Sequence, residues 1–224
     1  MTPERQAIEK LKNLITEERY SRFIEVLNNR TRYATVVLED IFQPHNASAC
    51  LRSCDLFGIQ DVHIIENDNE YKVNPDVAVG AFKWLTITKY NQEKNNTKTA
   101  IESLKKQGYR IIATTPHKND VELRDFDITK GKFALVFGSE MPGITETVQD
   151  YADEFLRINM FGFTESFNIS VSVALTLYEL SHKLRNSNLD WKLTENEYDK
   201  ILLEWLKKNI KISEKAINKY LNEQ

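Results

Sequence analysis

Three segments of the chain place polar side chains where the neighbouring sequence is apolar or turns at a glycine. They are QPHNASACLRSCDLFG at 43–58, LVFGSEMPG at 135–143 and INMFGFTESFNISVSVAL at 158–175. Their polar groups are a guanidinium, a carboxylate, a hydroxyl and two amides, supplied by Arg52, Glu140, Ser166, Asn46 and Asn168. Loops at strand ends commonly carry binding and catalytic residues. These five residues are therefore the candidates for chemistry.

Each candidate also has a simpler structural explanation. Arg52 can pair with Asp55 at i, i+3 on a helix surface, which contributes only a few tenths of a kcal/mol. Asn46 suits the N-cap of its helix, and Ser166 and Asn168 suit the cap of the next one. What makes the set specific is the order and spacing of all three segments in one chain.

The elements that must position these residues follow from hydrophobic periodicity. Short β-branched runs alternate with longer helical stretches, which predicts a parallel α/β sheet. The predicted strands are TVVL at 35–38, VHII at 62–65, RIIAT at 110–114, FALVF at 133–137 and FLRI at 155–158. Ligands of such sheets bind beyond the carboxyl ends of strands, so we expect the site in the loops after Phe137 and Ile158. The glycine motifs of dinucleotide-binding and P-loop proteins are missing from the sequence.

Helices are predicted at both ends of the chain and after the last strand. Apolar residues recur at helical spacing in residues 1–30, and 168–184 forms an apolar helix suited to the core or to a subunit interface. Thr194 and Glu197 form a capping-box pattern that opens a helix over 194–208, and a last helix is predicted over 213–221. The run NQEKNNTKT at 91–99 is predicted to be a polar loop.

Composition narrows the class of protein. The chain has 224 residues with 41% hydrophobic and 28% charged residues, which fits one large globular domain or one domain with extensions and excludes disordered and collagen-like classes. No apolar run is long enough to span a membrane, and the first residues carry charges where a signal peptide has its apolar segment. We therefore expect a cytoplasmic protein. Cys50 and Cys54 fit neither a zinc ribbon nor a disulfide framework, so we expect buried thiols.

Charge is distributed unevenly although the net charge is only −3. Residues 1–32 hold seven Lys/Arg against five Glu, residues 183–224 hold nine Lys/Arg against seven Asp/Glu, and the middle of the chain is acidic. Phosphate binding needs only a local basic patch, so the two ends are candidates for contact with nucleic acid. Ordinary solvated helix faces are the simpler explanation.

The three segments resemble the three signature motifs of the SPOUT superfamily, in particular the SpoU or TrmH family of RNA ribose 2′-O-methyltransferases. The resemblance extends to GAFKW at 80–84 and to LTENEYDKILLEWL at 193–206, and so to nearly the whole chain. It implies an α/β fold with a deep C-terminal trefoil knot and helical extensions at both ends. The implied divisions are 1–32, 33–185 for the methyltransferase domain, and 186–224.

The resemblance also implies roles for the candidate residues. Arg52 matches the arginine of the first motif, which contacts ribose and phosphate, and Asn46 matches the asparagine near it. Glu140 matches the glutamate of the second motif, and Ser166 and Asn168 match the pair of the third motif. S-adenosylmethionine is the implied cofactor, and its pocket is lined mainly by backbone at Thr114, Gly138, Ile158 and Phe167. This chain departs from the family pattern in having Phe167 in place of leucine and Asn159 in place of proline.

The function implied by the resemblance is methyl transfer to the ribose of guanosine 18 in the D-loop of tRNA by a homodimer, with neither membrane nor metal as a partner. Two alternatives stay open at this point. One is a 2′-O-methyltransferase that acts on ribosomal RNA or at another tRNA position, and the other is a non-catalytic RNA-binding dimer. Only about thirty residues precede the first predicted strand, which favours tRNA over ribosomal RNA, because ribosomal RNA enzymes of this family often carry a separate N-terminal RNA-binding domain.

Overall fold

The computed structural model describes residues 2–72, 74–116, 118, 121–139 and 143–210. Glu140 and the helix predicted over 213–221 lie outside these described residues. The chain divides into two compact units. One is formed by residues 31–191, and the other by residues up to 30 together with residues from 192 onward.

A seven-stranded parallel sheet forms the centre of the 31–191 unit. Its strands are β1 (Ala34–Glu39), β2 (Asp61–Ile65), β3 (Thr86–Tyr90), β4 (Arg110–Thr114), β5 (Val121–Glu122), β6 (Phe133–Phe137) and β7 (Glu154–Arg157). Their order is β3-β2-β1-β6-β4-β7-β5, and every pairing is parallel. The parallel α/β prediction and all five predicted strands are confirmed. β3 and β5 were not predicted, since β3 is a polar, half-exposed edge strand and β5 has only two residues.

The order in which the chain adds strands to the sheet reverses between β1 and β6, although all strands stay parallel. The chain runs from β1 outward through β2 to β3, and later occupies the other side of β1 with β6, β4 and β7. Val36 of β1 pairs with Val62 on one side and with Leu135 on the other, so β1 is fully enclosed. A crevice opens at such a reversal beyond the carboxyl ends of the strands. This crevice adjoins Glu39 at the end of β1 and Phe137 at the end of β6.

Helices of this unit cover the sheet and connect its strands. They are α3 (Pro44–Leu56), α4 (Pro75–Ala78), α5 (Asn96–Lys106), α6 (Glu146–Tyr151) and α7 (Ile169–Arg185). The apolar helix predicted over 168–184 is confirmed as α7. The loop prediction for 91–99 was wrong in its second half, because Asn95 caps α5 by accepting a hydrogen bond from the Lys98 amide at 3.1 Å.

The second unit consists of two helices from the first thirty residues and one helix near the other end of the chain. They are α1 (Pro3–Leu11), α2 (Glu17–Leu27) and α8 (Glu195–Asn209). Phe23 and Arg30 both contact the buried Trp205, through an edge-to-face ring pair at 5.7 Å and a cation–π contact at 5.4 Å. The predicted capping box at the start of α8 is confirmed, with Thr194 and Glu197 bonded reciprocally.

The buried-thiol prediction is confirmed for both cysteines. Cys50 and Cys54 lie on the inner face of α3, together with Leu51, and none of the three is exposed. Burial raises the pKa of the Cys50 thiol to about 12, because an apolar surrounding disfavours the thiolate. The two cysteines therefore pack α3 against the core and do not supply a reactive thiolate.

Candidate active site

The loop after β6 is held closed at a glycine. A Cβ atom at Gly138 would lie 2.2 Å from the Gly143 carbonyl oxygen and 2.4 Å from the Ile144 amide nitrogen. No side chain fits in that space, so the second segment requires glycine at this position. The two ends of the loop are thereby brought into contact beside the crevice.

Glu39, buried at the end of β1, fixes the far end of the same loop. Its carboxylate accepts hydrogen bonds from the amide of Thr145 at 3.0 Å and from its hydroxyl at 2.8 Å, and from the Thr97 hydroxyl at 2.6 Å. Thr145 is the N-cap of α6, so this carboxylate determines where α6 starts. Glu39 was not among the predicted site residues, although a glutamate at the end of the β-branched run TVVL is a recognisable signal.

A cavity of about 290 Å³ lies beyond the ends of β4, β6 and β7. Its lining includes all four residues predicted to bind a cofactor, and Ser166 with them: Thr114, Gly138, Ile158, Phe167 and Ser166. Apolar walls come from Phe137, Ile144 and Leu156. This volume is close to the lower end of the range typical of small-molecule sites. We refer to this space as the first cavity.

One buried hydroxyl in the first cavity lacks a partner. Thr176 of α7 lines the cavity and is 1% exposed, and its Oγ1 has no hydrogen-bond partner among the described residues. A buried polar atom without a partner costs free energy, which a bound polar group would recover. Thr176 was not among the predicted site residues; the signal was a hydroxyl in the otherwise apolar run VALTL at 173–177.

A second cavity, of about 390 Å³, adjoins the first. Both are lined by Ser139, Gly143 and Ile169, so they share a wall. The remaining lining of the second cavity comes from the end of β1 and the loop after it, the start of α3, the loop after β2 and the N-cap of α6: Glu39, Asp40, Ile41, Phe42, Gln43, Asn46, Asp68, Asn69 and Thr145.

The first and third segments meet through their asparagines. The side-chain amide of Asn168 donates a hydrogen bond to Asn46 Oδ1 at 3.2 Å, and the Asn46 amide donates to Gln43 Oε1 at 3.2 Å. Asn168 caps α7, as expected, by accepting from the Ser170 amide at 2.9 Å. The N-cap prediction for Asn46 was wrong: α3 begins at Pro44 with Gln43 at the cap, which leaves Asn46 buried in the first turn.

Arg52 lies on an exposed surface of α3 and lines neither cavity. Within the described part of the chain it has no hydrogen-bond or ion-pair partner, and the expected pair with Asp55 does not form. A structural role for Arg52 in holding α3 therefore has no contact to support it. Glu140 cannot be placed, since it falls outside the described residues.

Comparison with known proteins places this geometry in a family. The model of the SpoU rRNA Methylase family matches residues 33–178, which include the sheet and every lining residue of both cavities. The chain belongs to the SpoU rRNA Methylase family. This confirms the family resemblance of the three segments.

Individual relatives of the SpoU family match over most of their length. A tRNA (guanosine(18)-2'-O)-methyltransferase of Borreliella burgdorferi is 42% identical over 93% of this chain and 94% of its own. An enzyme of the same name from Thermus thermophilus is 32% identical over 86% of this chain and 98% of its own. The crystal structure of the A. aeolicus TrmH/SpoU tRNA modifying enzyme superposes with a TM-score of 0.76 at 30% identity, over 88% of this chain and 98% of that one.

Within the described ranges, no helix of this SpoU family member is both long and apolar enough to cross a membrane.

Proposed function

We propose that this SpoU family member transfers a methyl group from S-adenosylmethionine to the ribose 2′-hydroxyl of guanosine 18 in the D-loop of tRNA. The observation that carries the proposal is the pair of adjoining cavities that share Ser139, Gly143 and Ile169. One cavity suits a methyl donor and the other suits an acceptor nucleotide beside it. The named activity of the 42%-identical relative supplies the substrate.

The first cavity fits S-adenosylmethionine in its chemistry. Its apolar walls suit a nucleobase, and the unpartnered hydroxyl of Thr176 and the ammonium group of Lys118 suit the polar parts of the molecule. Backbone at Thr114, Gly138, Ile158 and Phe167 would hold the remainder, as the family resemblance implies. When bound, S-adenosylmethionine supplies an activated methyl group on a sulfonium.

The chain's own residues would orient the acceptor and stabilise its charge. Holding two reactants in line is worth roughly 7–11 kcal/mol of barrier lowering, and the Asn46–Asn168 pair together with Ser166 would place the ribose. The 2′-hydroxyl must lose its proton as it attacks, and in this arrangement the proton passes to solvent water. A guanidinium is always protonated in proteins and is a poor base, so Arg52 would bind the phosphate and stabilise the developing oxyanion. Glu140 completes the proposed catalytic set.

The unit built from the two chain ends is the proposed contact for the body of the tRNA. It carries most of the basic residues of the two ends, although some of that charge is internally neutralised: Arg5 pairs with Asp199 at 2.7 Å and Lys12 pairs with Glu9 at 2.6 Å. Affinity for tRNA should fall steeply with salt, in proportion to the number of phosphates neutralised. Because tRNA is the substrate, we place the protein in the cytoplasm.

We propose that the protein is a homodimer and that its chain forms the trefoil knot implied by the family resemblance. Apolar side chains exposed on α3 and α7 support the dimer, including Leu56 at 71% and Tyr178 at 64% exposure. The return of the chain from β7 to pack α7 against α3 supports the knot, with Arg185 Nη2 donating to the Phe57 carbonyl at 3.0 Å. Light scattering measures the dimer, and a crystal structure traces the knot.

Methyl transfer from labelled S-adenosylmethionine to total tRNA and ribosomal RNA, followed by mapping of the modified nucleotide, tests the proposal. We expect 2′-O-methylation of guanosine 18 alone. Modification of ribosomal RNA, on which a 31%-identical relative is named as acting, would replace the substrate but keep the reaction. Binding of S-adenosylmethionine and tRNA without turnover would favour a non-catalytic RNA-binding dimer.

A further inference from the structure

The second cavity has more room and more polar lining than the proposed methyl transfer uses. Of its lining residues only Asn46 takes part in placing the ribose. The cavity shares Ser139, Gly143 and Ile169 with the first cavity, so a nucleotide whose ribose faces the first cavity can extend its base into the second. The side chains that line the second cavity would then determine which base is accepted.

An exposed aromatic ring lies at this cavity. Phe42, in the loop between β1 and α3, lines the cavity and is 75% exposed. Apolar side chains of this size are usually buried, and aromatic rings provide stacking surfaces for nucleobases, worth about 1–3 kcal/mol per base. Phe42 therefore offers a face against which a base can stack.

One carboxylate on the cavity wall is left without a hydrogen-bond donor. Glu39 is occupied by Thr145 and Thr97, and Asp40 accepts from the backbone amides of residues 67, 68 and 69 at 2.7, 2.9 and 3.2 Å. The side chain of Asp68 has no partner among the described residues. The backbone of the loop that carries Asp68 is thus held in place by Asp40, and the exposed Asp68 carboxylate is available at the cavity as an acceptor.

We propose that the second cavity is the base subsite for the target nucleotide and that it selects guanine, with Phe42 stacking on the ring and Asp68 accepting hydrogen bonds from its N1–H and N2 amino groups. This inference rests on the proposed function and adds the element that reads the base. A carboxylate is an acceptor only, and guanine presents two adjacent donors on its Watson–Crick edge. Adenine presents an acceptor at N1, so the same carboxylate repels it.

A cycle that combines a protein substitution with a base substitution tests the pairing. The substrates are tRNA transcripts with guanosine, inosine or adenosine at position 18, inosine being guanosine without the N2 amino group. We expect Asp68→Asn to lower kcat/KM on guanosine about 10- to 100-fold, the effect of losing hydrogen bonds to a charged group. The same substitution should lower kcat/KM on inosine by less than about threefold, because that base already lacks one of the two donors. Asp68→Asn should also narrow the preference for guanosine over adenosine, since an asparagine amide can donate to adenine N1.

Phe42→Leu tests the stacking surface in the same assay. It should raise KM for tRNA about 5- to 150-fold on guanosine and inosine alike, because stacking does not distinguish the two bases. Phe42→Tyr should restore most of the loss.

Asp76→Asn is the matched control for Asp68→Asn. Asp76 is exposed on α4 and lines neither cavity, so this variant should behave as wild type. Calorimetry should show unchanged binding of S-adenosylmethionine by Asp68→Asn. Equal losses on guanosine and inosine, no loss on guanosine, or loss of S-adenosylmethionine binding would each overturn the base subsite while the proposed function stands. A wild-type protein that methylates no tRNA would overturn both.

Discussion

Asn46 and Asn168 are separated by 122 residues in the chain and joined by a hydrogen bond of 3.2 Å in the fold. Asn168 has two tasks at once, because its Oδ1 caps α7 through the Ser170 amide while its amide group holds Asn46. The start of α3 and the start of α7 are thereby fixed to each other. Stability of α7 and placement of the proposed ribose-binding amide depend on one side chain.

Replacing Asn168 with alanine should therefore reduce both stability and methyl transfer. Loss of an N-cap lowers the free energy of unfolding by about 1 kcal/mol. The substitution also leaves Asn46 without its partner, so kcat should fall by more than the factor that 1 kcal/mol corresponds to. Asn95→Ala is the matched control, because Asn95 caps α5 in the same way, with a bond to the Lys98 amide at 3.1 Å. Urea unfolding should show that the two variants lose similar amounts of unfolding free energy, while only Asn168→Ala loses kcat. Similar losses of kcat would contradict a special role for Asn168.

Arg52→Ala should abolish methyl transfer without affecting the free energy of unfolding. Arg52 is exposed and without a partner among the described residues, so its removal should change stability by less than about 0.5 kcal/mol. We expect kcat/KM to fall at least about 100-fold, the usual cost of losing one group that stabilises an oxyanion. Arg124→Ala, another exposed arginine of the same unit, should leave kcat unchanged. Full turnover by Arg52→Ala would remove this residue from the mechanism.

Arg52→Lys distinguishes two roles for that arginine. If Arg52 acts as a cation, lysine should recover part of the activity with an unchanged pH–rate profile, because it keeps the charge. If Arg52 acts as a base, lysine should shift the alkaline limb of the profile to lower pH.

Gly138→Ala should disrupt the loop that separates the two cavities. The added Cβ would lie 2.2 Å from the Gly143 carbonyl oxygen, a distance that forces the backbone apart. We expect calorimetry to show loss of S-adenosylmethionine binding and a melting temperature several degrees lower. Gly162→Ala provides the comparison, because nothing lies within 4 Å of a Cβ at that position. Binding that survives Gly138→Ala would mean that the loop does not hold the cofactor.

Thr176→Val should stabilise the free protein and weaken cofactor binding. Its hydroxyl is buried without a partner among the described residues, so replacing it with a methyl group of similar size should add about 1 kcal/mol of stability. If the hydroxyl bonds S-adenosylmethionine, Kd should rise about tenfold. Thr97→Val makes the same change at a hydroxyl that donates to Glu39 at 2.6 Å, and it should instead destabilise. An unchanged Kd would show that Thr176 does not contact the ligand.

Stability should fall between pH 7 and pH 5 because of His63. Burial lowers the pKa of His63 from 6.5 to about 4, so the unfolded chain binds a proton in this range that the folded protein does not. The contribution of His63 to the free energy of unfolding is therefore fully present above pH 6.5. It decreases as the pH falls, and at pH 5 the free energy of unfolding is lower by ~2 kcal/mol. His63→Phe keeps an aromatic ring that can stack on Tyr90. In this variant, urea unfolding should show no loss of unfolding free energy between pH 7 and pH 5. His45→Gln, at an exposed histidine, should retain it.

Local patterns in the sequence determined most of the secondary structure. Five strands, the apolar helix α7 and the capping box of α8 were predicted, because each depends on residues within one short window. The positions of the loops after β6 and β7 followed from the parallel sheet alone. β3 and the start of α5 were missed, since β3 is a polar edge strand and the first four residues of α5, NTKT at 96–99, are all polar.

Only the tertiary structure decided which of these residues meet. The contact between Asn46 and Asn168 and the bond from Thr145 to Glu39 join segments that are distant in sequence, and so does the first cavity, which brings Thr176 together with residues of three strand ends. Such contacts depend on how the strands are ordered and how the loops close, which no local period encodes. The sequence by itself determined the elements and the residue types available for chemistry. Packing determined that two cavities share one wall, and with it the proposal of a base subsite beside the methyl donor.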